Sequence, residues 1–270
     1  MARQIIESPL GLPPWLTPLG EPASRRLLEW GQAQAQQCLT DVFGFHAVQA
    51  GWPGYDALQT NRMPHRWHAG QEFDGERPAC DVVFDSRAWP WPAESLDLVV
   101  LAHTLERSAD AQACLREVER VLIAEGQLLI IGLNPWSLWG RALRRGQRAG
   151  DPSLPPGWGV QPVAPARLRD WLHLLGFEVQ WQQVAGWTPT WRSERWFQRW
   201  SWLESPGRRW CPVFAGAYAM LAVKRVPGVR LLRAQGWQKL PSRPALASPV
   251  TSSETPMRQI DAGGPAPRKP

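Results

Sequence analysis

The chain has 270 residues and a formal charge of +6, from 30 basic against 24 acidic side chains. With 44% hydrophobic residues it can bury a real core, as one generous domain or one domain with appendages. No run approaches the roughly 18 consecutive apolar residues of a membrane span, and the first residues, MARQIIESP, lack the apolar stretch of a signal peptide. The four cysteines (Cys38, Cys80, Cys114 and Cys211) show no C-x-x-C spacing. They read as small buried hydrophobes in a reducing compartment, so the expectation is a cytoplasmic chain without disulfides or metal ligands. Nearly all the positive charge is arginine, lysine standing only at 224, 239 and 269. That excess permits an anionic partner and does not require one.

Residues 1–20 are punctuated by Pro and Gly and read as an irregular arm. A helix is expected over 23–39, with Leu27, Leu28 and Trp30 on its apolar side. The first strand and a glycine-bearing turn fall in HAVQAGWPGY at 46–55. A short helix over 56–63 and a strand over 65–69, ended by Gly70, follow. Three apolar runs at 80–84, 96–102 and 128–133 have the length and β-branched content of strands buried on both faces. Between the second and third, Ala111, Cys114, Leu115, Val118, Val121 and Leu122 recur at helical spacing. Asp110 is placed to cap that helix, and Gly126 to supply a left-handed residue past its end. Strand, helix, strand with short links is a right-handed crossover of a parallel sheet. Asp85 and Ser86, His103 and Thr104, and Asn134 follow the three strands. Ligands bind outside the carboxyl ends of such strands, so one crevice is expected to collect all five.

Arg141, Arg144, Arg145 and Arg148 then mix with Trp136, Leu138, Trp139 and Leu143, which reads as a helix with its apolar side packed on the domain. A Pro/Gly-rich linker covers 150–164. Pro165 opens a helix with Leu168, Trp171, Leu172 and Leu175 on one face, stopped by Gly176. Residues 177–182 alternate as a strand with one wet face, and a last strand runs over 217–223. Between those strands, 186–210 interleaves tryptophans with Arg192, Arg195, Arg199, Arg208 and Arg209, a pattern that suits base stacking, an interfacial helix or a substrate-side cap. Ser193 is placed to cap a helix with Trp196, Phe197, Trp200 and Leu203 on one face. Beyond Arg225 the chain is polar and proline-rich, and disorder is expected from about Pro241.

The central stretch carries a resemblance. Asp85–Ser86, WPW at 89–91, SLDLVV at 95–100, HTLE at 103–106, REVERVL at 116–122 and Gly126 resemble, in order, class I S-adenosylmethionine-dependent methyltransferases of the type 11 group. The resemblance implies a Rossmann-like α/β fold. Its sheet is seven-stranded and mostly parallel, with an antiparallel last strand and helices on both faces. It divides the chain into an arm and lead-in helix (1–40), a methyltransferase domain (41–225) with a Trp/Arg-rich cap (186–210), and a tail (226–270). S-adenosylmethionine is the implied cofactor. Asp85 is implied to meet the adenine amino group and the Ser86 backbone the neighbouring ring nitrogen. Gly51, with Gln49 beside it, is implied to approach the methionine part, and Ala102 and His103 to belong to the cofactor wall. The family's acid-x-Gly-x-Gly-x-Gly pattern is altered here, since Gln49 replaces the acid, Pro53 the second glycine and Tyr55 the third, while Gly51 keeps the first. No residue is assigned to the ribose hydroxyls.

Methyl transfer from a sulfonium is an in-line displacement that rests mainly on positioning. His103 is the candidate to meet the acceptor or remove its proton, with a wall position as its alternative role. The methyl acceptor is not identified. The competing expectation is a degenerate methyltransferase fold that binds or regulates, with nucleic acid as its partner. The 186–210 segment separates the two: a cap buries most of its tryptophans, whereas a nucleic-acid platform exposes them beside arginines. The cap is the expectation.

Overall fold

The computed structural model describes residues 12–51, 56–71, 80–148, 160–191 and 193–226. The chain divides into two compact units, Met1–Pro227 and Gly228–Pro270, and the described residues belong to the first. The expectation of disorder from about Pro241 and the altered glycine turn at Pro53 and Tyr55 both lie outside the described residues.

Seven strands form one sheet: β1 (His46–Gly51), β2 (His65–Gln71), β3 (Val82–Phe84), β4 (Leu96–Ala102), β5 (Leu122–Leu133), β6 (Phe177–Ala185) and β7 (Ala217–Lys224). Their order is β3-β2-β1-β4-β5-β7-β6. The first five run parallel, and β7 is antiparallel to both β5 and β6. This is the class I methyltransferase sheet. Central β4 is buried at six of its seven positions, as its unbroken apolar run requires.

The helices are α1 (Glu21–Leu39), α2 (Thr104–Arg107), α3 (Ala111–Val121), α4 (Leu138–Arg148), α5 (Pro165–Leu174), α6 (Glu194–Arg199) and α7 (Glu204–Trp210). A 3-10 turn, Pro14–Leu19, precedes α1. The interior divides into separate clusters. One cluster joins Cys114, Leu115, Val118, Leu168 and Leu172 of α3 and α5 to Val99, Leu101 and Ile130. Another joins Ala35 and Leu39 of α1 to Leu98, Val100 and Ile131. Alternate residues of β4 therefore face opposite layers. All four cysteines are free thiols. Burial pushes the Cys114 thiol up to about 12.

Local signals explain most boundaries. The Asp110 carboxylate accepts from Gln112 N and Ala113 N at the start of α3, and these bonds hold it below its usual range. Gly176, at φ +81°, stops α5. The end of α3 differs from expectation. The helix is closed by Leu122 in an extended conformation, and the left-handed residue Glu125 (φ +63°) lies within β5 beside Gly126, whose added Cβ would lie 2.9 Å from the Ile123 carbonyl. Gly126 is therefore selected by close packing, not by φ. Lys224 closes the same helix, its Nζ donating to Glu119 O (2.6 Å) and Leu122 O (2.9 Å). Residues 57–60 form a turn, not the expected helix, and β2 runs past Gly70 to Gln71. The strand β5 starts six residues before the expected 128, because Leu122 already pairs with Leu96 across an irregular register.

Candidate cofactor and acceptor site

The carboxyl ends of β1, β3, β4 and β5 lie along one edge of the sheet, and the register fixes what each end presents. Gly51 pairs with Ala102, and Ala102 with Ile131. At φ +114° Gly51 holds a conformation that L side chains rarely adopt. A Cβ there would sit 2.2 Å from the Ala102 carbonyl oxygen and 2.5 Å from Thr104 Oγ1. The glycine is thus required by the close approach of β4. Gln49 is buried, and its Oε1 accepts from Ala57 N at 2.7 Å, so it fastens the 57–60 turn to β1.

Asp85 and Ser86 stand directly after β3. Asp85 is exposed, with Oδ1 accepting from Arg87 N at 2.9 Å, while Ser86 is buried. The loop behind them is held by α3. Glu117 Oε2 accepts from Trp89 N (2.9 Å), and Arg120 donates to the carbonyls of Trp91 and Trp89 (3.1 Å each). Arg120 also donates to Glu117, and this bond chiefly holds the Glu117 carboxyl below its usual range. The REVERVL motif therefore serves as a brace for the β3 loop.

His103 follows β4 in a left-handed conformation (φ +56°) and is wholly buried. The Trp15 ring, from the arm before α1, lies 5.3 Å from its imidazole. His103 Nδ1 is 3.6 Å from Glu106 Oε1, and that oxygen accepts from Leu133 N at 2.5 Å. Among the described residues neither ring nitrogen of His103 has a hydrogen-bond partner, nor do Glu106 Oε2, Tyr218 Oη and Trp15 Nε1. The Tyr218 phenol is raised well above its ordinary value, first by burial and then by the nearby Glu106 charge. Sequence reasoning saw Glu106 only as part of a motif and missed Tyr218 and Trp15. The i,i+3 spacing of His103 and Glu106 was the available signal.

The single crevice expected for five polar residues is not what these side chains form. Thr104 Oγ1 donates to Ala50 O at 2.6 Å and ties β4 to β1. Asn134 Nδ2 donates to Val213 O (2.7 Å) and Ala215 O (2.9 Å), and its Oδ1 accepts from Trp136 N (3.1 Å). Both are struts. Beside them a groove of about 700 Å³ opens between the segments after β4 and β5 and the start of α5. Leu105, Ser108, Trp136, Arg87, Arg167 and Trp171 stand among its lining residues. Its size suits a small organic ligand.

The tryptophan-rich segment departs from expectation. Trp187 is buried, its Nε1 donating to Cys211 O at 2.8 Å, but Trp191, Trp196, Trp202 and Trp210 are exposed and Trp200 is half-buried. On the face expected to pack, only Phe197 is buried. The helical spacing was correct, but α6 spans six residues and no element covers its outer side among the described residues. By contrast Trp139 and Leu143 of α4 pack inward as expected, Trp139 donating to Thr188 O at 2.8 Å. Among the described residues no group of three His, Cys, Asp or Glu side chains is arranged to hold a metal, and no helix is long and apolar enough to cross a membrane.

Residues 60–130 match the family described as a methyltransferase domain, type 11. That match covers about a quarter of the chain, and the 3-2-1-4-5-7-6 sheet around it is the fold of the class I S-adenosylmethionine-dependent methyltransferases. Among curated proteins it is 30% identical over 161 residues to the uncharacterized protein YafS of Escherichia coli K12. That match covers 56% of this chain and 63% of the relative, so the chain spans less than two thirds of the relative's length. Two solved structures share the fold. A Thermotoga maritima protein described as a SAM-dependent methyltransferase is 18% identical, with 78% of this chain and 93% of that one covered and a TM-score of 0.51. A Bacillus halodurans C-125 protein assigned as a methyltransferase is 15% identical, with 72% and 99% covered and a TM-score of 0.50.

Proposed function

We propose that the chain is an S-adenosylmethionine-dependent methyltransferase acting on an acceptor held in the groove beside β4 and β5. The observation that carries this reading is the Asp85 carboxylate. It is exposed after β3, only its Oδ1 is occupied by Arg87 N among the described residues, and α3 braces its loop from behind. Such a group fits an adenine amino donor, and the Ser86 backbone beside it fits the adjacent ring nitrogen. Gly51 and Ala102 shape the neighbouring edge, where the methionine part would lie, and Gln49 fastens Ala57 to β1. When bound, the cofactor supplies an activated methyl group on a sulfonium. The protein's part is to bind, align and exclude water.

His103 lies behind that edge as part of the wall. Its removal of an acceptor proton requires the Trp15 ring to move off the imidazole. This sealing of His103 favours a second reading, in which the domain binds the cofactor or a partner without turnover. Transfer of label separates the two readings. The full chain is incubated with methyl-labelled S-adenosylmethionine and cell extract separated into small-molecule and macromolecular fractions. Chain-dependent label in one fraction supports the enzyme and gives the acceptor class; binding without transfer to any fraction supports the second reading.

A further inference from the structure

Residues 208–214 form an exposed basic and apolar tip. Arg208, Arg209 and Trp210 end α7, and Cys211, Pro212, Val213 and Phe214 follow, with every one of these residues exposed. Trp210 is 77% exposed, Val213 68% and Phe214 54%. The backbone beneath them is firmly seated. Trp187 Nε1 donates to Cys211 O, and Asn134 Nδ2 to Val213 O. The Glu204 carboxylate accepts from Gly186 N, Trp187 N and the Thr188 hydroxyl, which fixes α7 to the end of β6. Polar groups are thus satisfied inward while apolar side chains point to solvent. The same Asn134 carboxamide holds Trp136, itself 60% exposed, so a second aromatic joins the tip at the acceptor edge of the sheet.

Charge and side-chain chemistry choose the occupant. Arg208 and Arg209 have no carboxylate within ion-pair distance among the described residues, so the tip is flanked by unneutralised positive charge. Trp and Phe with adjacent arginine match the aromatic and basic composition of segments that lie in the headgroup region of an anionic bilayer. Single-stranded nucleic acid fits less well. Val213, Pro212 and Cys211 offer no stacking face, and Trp200–Trp202 and Trp191–Trp196 already lie against each other with centroids 6.3 and 6.1 Å apart. We propose that the 208–214 tip, with Trp136, docks this protein on an anionic lipid surface. The proposal is independent of methyl transfer.

Flotation of the full chain with vesicles tests it. The protein is expected to float with equimolar phosphatidylcholine–phosphatidylglycerol vesicles, to float less as salt rises, and to stay behind with phosphatidylcholine alone. Trp210→Ser with Phe214→Ser should abolish flotation, and Arg208→Glu with Arg209→Glu should weaken it by about tenfold or more. These exposed side chains should leave the melting temperature unchanged. Absence of flotation, or flotation unaffected by both pairs, overturns the proposal. So does salt-sensitive binding of an oligothymidylate lost in a Trp196→Ala, Trp200→Ala variant without vesicle binding. Sedimentation showing a dimer that Trp210→Ser dissociates overturns it equally, since the tip is then buried between copies.

Discussion

The imidazole Nδ1 of His103 lies 3.6 Å from Glu106 Oε1, and neither side chain reaches solvent. Glu106 is the acceptor for Leu133 N at the end of β5 and stands beside an imidazole without hydrogen-bond partners among the described residues. Glu106→Ala would leave that N–H unpaired in the core, at a cost of about 1–3 kcal/mol. Glu106→Gln keeps an acceptor oxygen and should lose less. Urea unfolding midpoints check the order; an alanine variant as stable as the parent would contradict it.

Gly51 yields a prediction of a different kind. Its φ of +114° and the Ala102 carbonyl 2.2 Å from a built Cβ leave no room for a side chain. Backbone strain alone costs about 1–3 kcal/mol, and the clash with β4 adds to it. Gly51→Ala should therefore lower the melting temperature even without any ligand. A variant that melts like the parent would mean that the β1–β4 approach is wrongly described.

Much of this architecture was legible because its signals are local. The apolar run at 96–102 is β4 to the residue. The Asp110 cap, the Pro165 start and the Gly176 stop are each set by neighbours a few positions away. What failed to show depends on distant partners. Asn134 looked like a ligand group, yet its carboxamide is spent on backbone 79 and 81 residues away. Spacing gave α6 its apolar face but could not tell that Phe197 alone of that face reaches the core. Glu117 and Arg120 were visible as a motif, while their hold on Trp89 and Trp91 emerges only when α3 meets the β3 loop.

That brace also sets an acid response. The Asp110 and Glu117 carboxyls are both held below their ordinary values of 3.8 and 4.5, by the N–H groups of α3 and by the Arg120 hydrogen bond respectively. A depressed folded pKa means that the unfolded chain takes up protons first. The stability these groups give is therefore present above about pH 4.5 and lost as pH falls through the depressed values. Melting temperatures from pH 6 downward should fall about less steeply in Glu117→Gln than in the parent. Parallel curves would remove Glu117 from the account.

The Asp85 carboxylate is where fold and proposed chemistry meet, and a calorimetric titration with S-adenosylmethionine probes it directly. The account predicts saturable one-to-one binding by the parent chain, weak for its class because Pro53 and Tyr55 replace glycines. Binding should be lost in Asp85→Ala, whose melting temperature should stay near the parent's because the side chain is exposed. No binding by the parent, or an unchanged affinity in Asp85→Ala, would contradict the claim that this edge of the sheet is the cofactor site.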